Sequence, residues 1–391
     1  MIEGRLNELT ANRVKAAICR VLLATVPVHS RFIIRLLYDE EMLDRMCEYA
    51  TDTDPHLRCY ATGLLAVGLR DRSIADIVVN KETPIKLLKR ARLYANKLDK
   101  ERQQAVKYIQ EHIRNSGARQ KRNSNAVGNG SGKSAATNSQ KLTGGLKRKH
   151  SEVNMRITNA TNQGHALVAD VENAVEMEQD EDLAVAQENS ISLSANGEET
   201  LVEADADVAE LAPDPARHEE DLKRLVLLEL LHTLDCIGSM GEYMELFGPA
   251  HKEDIIGTII TFLHSKNPMV LSHTMKLTSH FLAHKKFSFS FIEAGGVELI
   301  FETTKFQQAA GQIGLLDRSL SMCLHGFASS STVIEKILTS DPESLLSVAF
   351  GLLSSPNDRA RQNAVVFFGL TLPFKAILDY FERQNGLYTL L

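Results

Sequence analysis

Phe291-Ile292-Glu293-Ala294-Gly295-Gly296-Val297 carries an apolar residue near the end of one helix through a corner into the apolar start of the next. The paired glycines supply the left-handed helix end that such a corner requires. Ile337 leads in the same way into Ser340-Asp341-Pro342, and Phe381 into Asn385-Gly386-Leu387. With Ile33, Ile77 and Phe247 added as anchors, the separations are 44 between the first two and 44, 46 and 44 along the last four. That is the armadillo/HEAT period. Each helix pair in such an array is amphipathic and closes no core alone, so neighbours must stack and leave an extended surface for binding other chains. Gly295, Gly296, Asn385 and Gly386 are the expected repeat corners.

Both flanks of the chain read as helical. Five of the ten prolines follow a capping residue, in Asp54-Pro55, Thr83-Pro84, Asn267-Pro268, Asp341-Pro342 and Ser355-Pro356, which marks five helix starts. Apolar residues recur at helical spacing, as in Leu64, Leu65, Gly68, Leu69 and in Val365, Phe367, Phe368, Leu372, with no sustained alternation of period two. The expected fold is all-α, an armadillo/HEAT-like solenoid.

The array is interrupted. No aromatic residue occurs between Tyr108 and Tyr243, and a stretch that buries no aromatic area seldom offsets its ordering entropy. Residues 115–145 are rich in Asn, Ser and Gly, and residues 170–221 are acidic. The expected organisation is helical repeats over 1–114, ending in a long basic helix, a disordered insertion over 115–218, and further repeats over 219–391.

Of 391 residues, 43% are hydrophobic and 24% charged, with no Trp and a net charge of -6. The modest total conceals +14 over residues 86–169 and -17 over 170–221. Five scattered cysteines without a CxxC pair read as reduced thiols. The early apolar stretch from Val21 to Val28 is short, broken by Thr25 and Pro27 and unlike a secretory signal, and no window approaches the length of a membrane span.

Catalytic chemistry finds little purchase. Gly128-Asn129-Gly130-Ser131-Gly132-Lys133-Ser134 approaches a phosphate-binding loop, but Val127 stands where the first Gly belongs, and no strand or helix flanks it to aim its amides. His273, His280 and His284 share roughly one helix face, yet Phe281 occupies the position of a metalloprotease Glu and no Cys is near, so interface histidines are the better reading. Kinase signatures and nucleophile elbows do not occur. No catalytic residue, cofactor or metal is expected.

Two basic features remain. The segment from Lys86 to Arg122 reads as a helix with Ile85, Leu88, Ala91, Ala95, Leu98, Ala105, Ile109 and Ile113 facing inward and its charges solvated; a nucleic-acid face is the weaker reading. Lys147-Arg148-Lys149 is a candidate nuclear import signal, giving an expectation of nuclear and also cytoplasmic residence.

Several strings resemble one family. Arg58-Cys59-Tyr60-Ala61-Thr62-Gly63-Leu64-Leu65, in which the string from Tyr60 to Leu65 is the most specific element, is joined by Gly241-Glu242-Tyr243, Met322-Cys323-Leu324 and Phe374-Lys375-Ala376-Ile377-Leu378. They resemble the N-terminal armadillo-like region of the Vpr-binding protein family, substrate receptors of cullin-RING ubiquitin ligases that dock on the damaged-DNA-binding adaptor. The resemblance implies protein partners, either ligase subunits or substrates. It also implies that adaptor docking needs a C-terminal WD-repeat propeller, and the chain stops at Leu391 before one begins, so a fragment, short isoform or truncated gene model is expected. The function implied is a non-catalytic scaffold in protein ubiquitination and proteasomal degradation. A free-standing armadillo adaptor is the alternative, although the Trp ladder of an import receptor is missing.

Overall fold

A computed structural model describes residues 2–126, 215–309, 314 and 316–390, and every regular element among them is helical. Residues 127–214, with the phosphate-loop-like string, the import signal and the core of the expected insertion, lie outside the described residues. Met1–Tyr108 and Leu225–Leu391 form one compact unit, and Ile109–Arg224 a second.

Within the first unit the helices fall into triplets. Ahead of them stands α1 (Ile2–Ala24). Then come α2 (Val26–Leu37), α3 (Glu40–Tyr49) and α4 (Pro55–Gly68), and next α5 (Arg72–Val78), α6 (Thr83–Ala126) and α7 (Pro215–Ser239). The following triplet is α8 (Met244–Lys252), α9 (Ile255–Leu263) and α10 (Pro268–Phe281). It is succeeded by α11 (Lys285–Glu293), α12 (Gly296–Ala309) and α13 (Asp317–Ala328), then α14 (Ser331–Ser340), α15 (Pro342–Leu352) and α16 (Asp358–Thr371). Last are α17 (Lys375–Arg383) and α18 (Gly386–Leu390). The first helices of the later triplets start at Met244, Lys285, Ser331 and Lys375, so the period is 41, 46 and 44 residues.

Equivalent helices stack on one another: α1 on α4, α10 on α13 and α13 on α16 in the third-helix layer, α9 on α12 and α12 on α15 in the second, and α11 on α14 in the first. The chain is therefore a helical-repeat solenoid, and its long insertion falls inside a triplet, between the second helix α6 and the third helix α7.

The anchors are corrected in two places. Phe291, Ile337 and Phe381 each occupy the seventh position of a first helix and are buried. Val78 and Ala250 hold that position in α5 and α8 and are also buried, whereas Ile77 is 46% exposed and Phe247 only partly covered. One residue turns a helix by about 100°, so a displaced anchor leaves the core face. Phe247 packs instead on the His284 ring, with centroids 5.2 Å apart.

Three of the five proline starts are capped as expected. The side chains of Asp54, Asn267 and Asp341 accept from the amides of Leu57 at 2.8 Å, Met269 at 2.9 Å and Ser344 at 3.1 Å. Thr83 is already the first residue of α6. After Ser355-Pro356 the helix begins two residues late and is capped by Asn357, because the Ser355 hydroxyl donates to Asp317 and accepts from the Asn357 amide.

The corners divide their labour. Gly295 and Asn385 take the left-handed conformation at φ 75° and 53°, and Asp254 does so at 54° between α8 and α9. Gly296 and Gly386 do not; they lack a side chain because the Phe291 and Phe381 rings lie where a Cβ would stand. Where the seventh position is Ala250, the matching residue after the corner is Ile255. Gly296→Ala should therefore cost about 1–3 kcal/mol. In a Phe291→Leu background the added cost should shrink by about 1 kcal/mol or more, read by urea unfolding as a double-mutant cycle. Strict additivity would mean that the ring does not set the glycine.

The long basic helix departs from expectation in its outer half. Leu88, Ala91 and Ala95 are buried and Leu98 partly so, but Ile85, Ala105 and Ile109 are exposed, as are all residues from Lys100 to Gln110. The side chain of Ile113 lies outside the described residues. The neighbouring helix α4 has only 14 residues, about 21 Å, and can cover only the first few turns of α6. In the second unit, the start of α7 carries the solvent-exposed pairs Lys223–Glu219 and Arg224–Glu220.

Candidate functional site

The string Arg58 to Leu65 lies on α4, and the structure makes it a joint. Arg58 grips Glu229 of α7 with two donors, Nε to Oε1 at 2.6 Å and Nη2 to Oε2 at 3.1 Å. Arg90 of α6 approaches the same carboxylate, Nε to Oε1 at 3.3 Å, and donates to the Thr62 hydroxyl at 3.1 Å and to the Ala50 carbonyl. The Thr62 hydroxyl in turn donates a hydrogen bond to the Arg58 carbonyl at 2.6 Å. Glu229 is 2% exposed and shared by two guanidinium groups, a bidentate arrangement that arginine's planar fork favours. Glu229 raises the Arg58 pKa against the pull of burial, whereas for Arg90 burial outweighs Glu229 and lowers it.

Other members of the string fill the same joint. Ala61, Leu64 and Leu65 are buried, and Tyr60 packs partly covered against the core. Gly63 faces His232 of α7 and Leu23 of α1: the His232 Nε2 and the Leu23 Cδ2 both lie 2.8 Å from where a Cβ would sit. Gly63→Val should cost about 1–3 kcal/mol in thermal unfolding, since rigid helices on both sides must part. Unchanged stability would show that α1 and α7 have room to separate.

A second polar node continues the third-helix layer from α7 to α10. Asp235 lies 3.1 Å from His273 Nδ1 and 3.0 Å from Lys276 Nζ. Burial opposes its ionisation, but these two neighbours hold the carboxyl well below the usual carboxylate range. Beyond it, an open groove of about 320 Å³ runs across α10, α13 and α16, lined among others by Glu242, Ser279, His280, His325, Ser329 and Asn363. His280 Nδ1 is 3.0 Å from Glu242, and Asn363 donates to Ser321 on the neighbouring helix at 3.0 Å. Ser279 and Ser329 give their hydroxyl protons to the carbonyls of Lys276 and His325 within their own helices. The lining thus offers hydrogen-bond contacts to a polar chain, with its serines engaged by backbone.

His273, His280 and His284, and His264 one turn before them, are not brought together. His264 contacts the Ile260 carbonyl, His273 pairs with Asp235, His280 with Glu242, and buried His284 reaches the Gly241 carbonyl at 2.8 Å. Among the described residues no group of three His, Cys, Asp or Glu side chains converges as a metal site. All five cysteines are free and buried, and burial pushes the thiols of Cys19 and Cys59 up to about 11 and about 12. The corner residues Gly295, Gly296, Asn385 and Gly386 lie at repeat corners apart from this joint, and Lys147, Arg148 and Lys149 lie outside the described residues. Sequence reasoning missed Glu229 and Arg90. The signal for Glu229 was its isolation as the one charge inside Leu225-Val226-Leu227-Leu228-Glu229-Leu230-Leu231.

Comparison with known proteins matches residues 51–341 to the Mahjong helical domain. The chain is 27% identical over 182 residues to the "DDB1- and CUL4-associated factor homolog 1" of Arabidopsis thaliana, covering 44% of this chain and 9% of that protein. It is 26% identical over 152 residues to "Protein mahjong" of Drosophila melanogaster, covering 38% and 10%. The Caenorhabditis elegans "DDB1- and CUL4-associated factor homolog 1" is 23% identical over 159 residues, covering 39% and 9%. The match therefore spans about a tenth of the length of these relatives.

Proposed function

Because the chain belongs to the family of the Mahjong helical domain, we propose that it is a non-catalytic interaction scaffold within a substrate-receptor subunit of a cullin-RING ubiquitin ligase. One observation carries this reading: family membership together with relatives named for association with DDB1 and CUL4. The stacked third helices supply the physical means. They hold a groove of mixed polar and apolar lining on a frame whose repeats are locked by buried side chains, so a bound chain meets a preformed surface. In this reading the repeats position substrate proteins, and ubiquitin transfer is performed by other subunits.

The test is affinity purification from cells, comparing this chain with a protein that continues into a C-terminal propeller. The expected result is recovery of DDB1 and CUL4 with the longer protein and of substrate proteins with both. Recovery of DDB1 with this chain alone would place adaptor docking in the repeats. Failure of the longer protein to recover either subunit would leave a free-standing adaptor. Purified chain that hydrolyses ATP, with the activity lost in Lys133→Ala, would overturn the non-catalytic reading. Nuclear residence through Lys147-Arg148-Lys149 belongs to the same proposal, and a reporter fused to residues 140–155 that stayed cytoplasmic would count against it.

A further inference from the structure

The N-terminal helices present a surface that the ligase reading does not use. Val14, Ile18 and Val21 on α1, and Val28 and Phe32 on α2, are each more than half exposed. Spacing of i, i+4 and i+7 puts the first three on one stripe, opposite buried Ala16 and Cys19. Arg13 and Arg20 form a parallel line on α1, with exposed Ala17 and Ala24 between line and stripe. On α2, beyond a break in the helix at His29, Arg31 and Arg35 share the exposed side with Phe32, opposite buried Ile33 and Leu37, and Val28 is exposed just before the break. Between Glu8 and Asp39 there is no acidic residue. None of the four arginines enters an ion pair among the described residues, whereas Lys15 lies over the Tyr49 ring at 5.0 Å.

We infer that this face docks an acidic amphipathic helix of a partner protein. The stripe of α1, two turns long, takes apolar anchors at i, i+4 and i+7, and acidic residues beside those anchors meet the Arg13–Arg20 line; α2 leaves α1 at 119°, so Arg31 and Arg35 add positive charge nearby without extending that line. Charge complementarity decides the sign of the partner, because the face carries only positive groups. A lipid surface fits less well. Interfacial membrane helices rely on Trp, Phe and Leu with basic residues at the margin. Here the stripe is Val and Ile with one Phe, and Arg31 and Arg35 stand among the apolar residues of α2. The face also precedes residue 51, where the family match begins, so it lies outside the matched residues.

The test uses the full chain and a labelled synthetic helical peptide with Leu at i, i+4, i+7 and i+11 flanked by Glu, followed by fluorescence anisotropy at low and high salt. Binding should weaken with salt, be abolished by Ile18→Asp, and fall about tenfold with Arg13→Glu combined with Arg20→Glu. That double variant should recover binding to the peptide with Lys in place of Glu. Because every substituted residue is exposed, circular dichroism should stay that of the parent. Equal binding of a scrambled peptide, no binding, or indifference to both variants would overturn the inference. So would sedimentation of the chain by phosphatidylserine vesicles through these same residues without peptide binding, which would assign the face to a membrane.

Discussion

Glu229→Leu should destabilise the chain by about 3–5 kcal/mol, because it strands two largely covered guanidinium groups without their shared counter-ion. Arg90 is only 12% exposed in its side chain and Arg58 25%, so neither recovers its hydration without moving its helix. The loss should appear as a fall of about 10 °C in Tm, at some 2–4 °C per kcal/mol for a domain of this size. The geometry also predicts what should rescue it. Arg58→Met, Arg90→Met and Glu229→Leu together remove all three charges, and the triple variant should be more stable than Glu229→Leu alone, since the desolvation cost disappears with the charges. A triple variant no more stable than the single one would mean that α4, α6 and α7 are held by packing and that the carboxylate is incidental. The result bears on function because this clamp joins the segments on either side of the insertion: Arg58 and Glu229 are 171 residues apart in sequence.

That separation explains what was legible in the sequence. Repeat corners and caps were readable because each is local. Gly295 and Asn385 are demanded by a left-handed corner, and Asp54, Asn267 and Asp341 by helix-start amides two or three residues away. Helix faces were harder, since the choice of Ile77 over Val78, or Phe247 over Ala250, rests on rotations that apolar composition alone does not resolve. The placement of the insertion inside a triplet required knowing that α7 completes what α5 and α6 begin. The groove was not legible, because its lining comes from three helices and the turn after α7. The joint was half legible: Arg58 and Gly63 lie in the string that carries the family resemblance, but their partners Glu229 and His232 lie beyond the insertion.

His232 makes the same joint sensitive to acid. Its Nε2 is covered and has no hydrogen-bond partner, and the ring abuts Gly63 on α4. Burial penalises the imidazolium, and although Asp235 pulls the other way, the pKa is lowered to about 4. In the unfolded chain the same group titrates near 6.5. Between those values the unfolded state takes up a proton that the folded state refuses, so stability falls as pH drops from about 6.5 towards about 4 and levels off below. The size of this contribution is about 3 kcal/mol. Asp235, held low by His273 and Lys276, adds its own loss only in stronger acid, below the ordinary carboxylate range. Urea unfolding of the parent and of His232→Leu across that interval isolates the histidine. The difference in stability between the two should shift by about 3 kcal/mol in favour of the variant as pH is lowered. Parallel curves through the interval would assign the acid sensitivity to other groups and leave His232 a neutral packing residue.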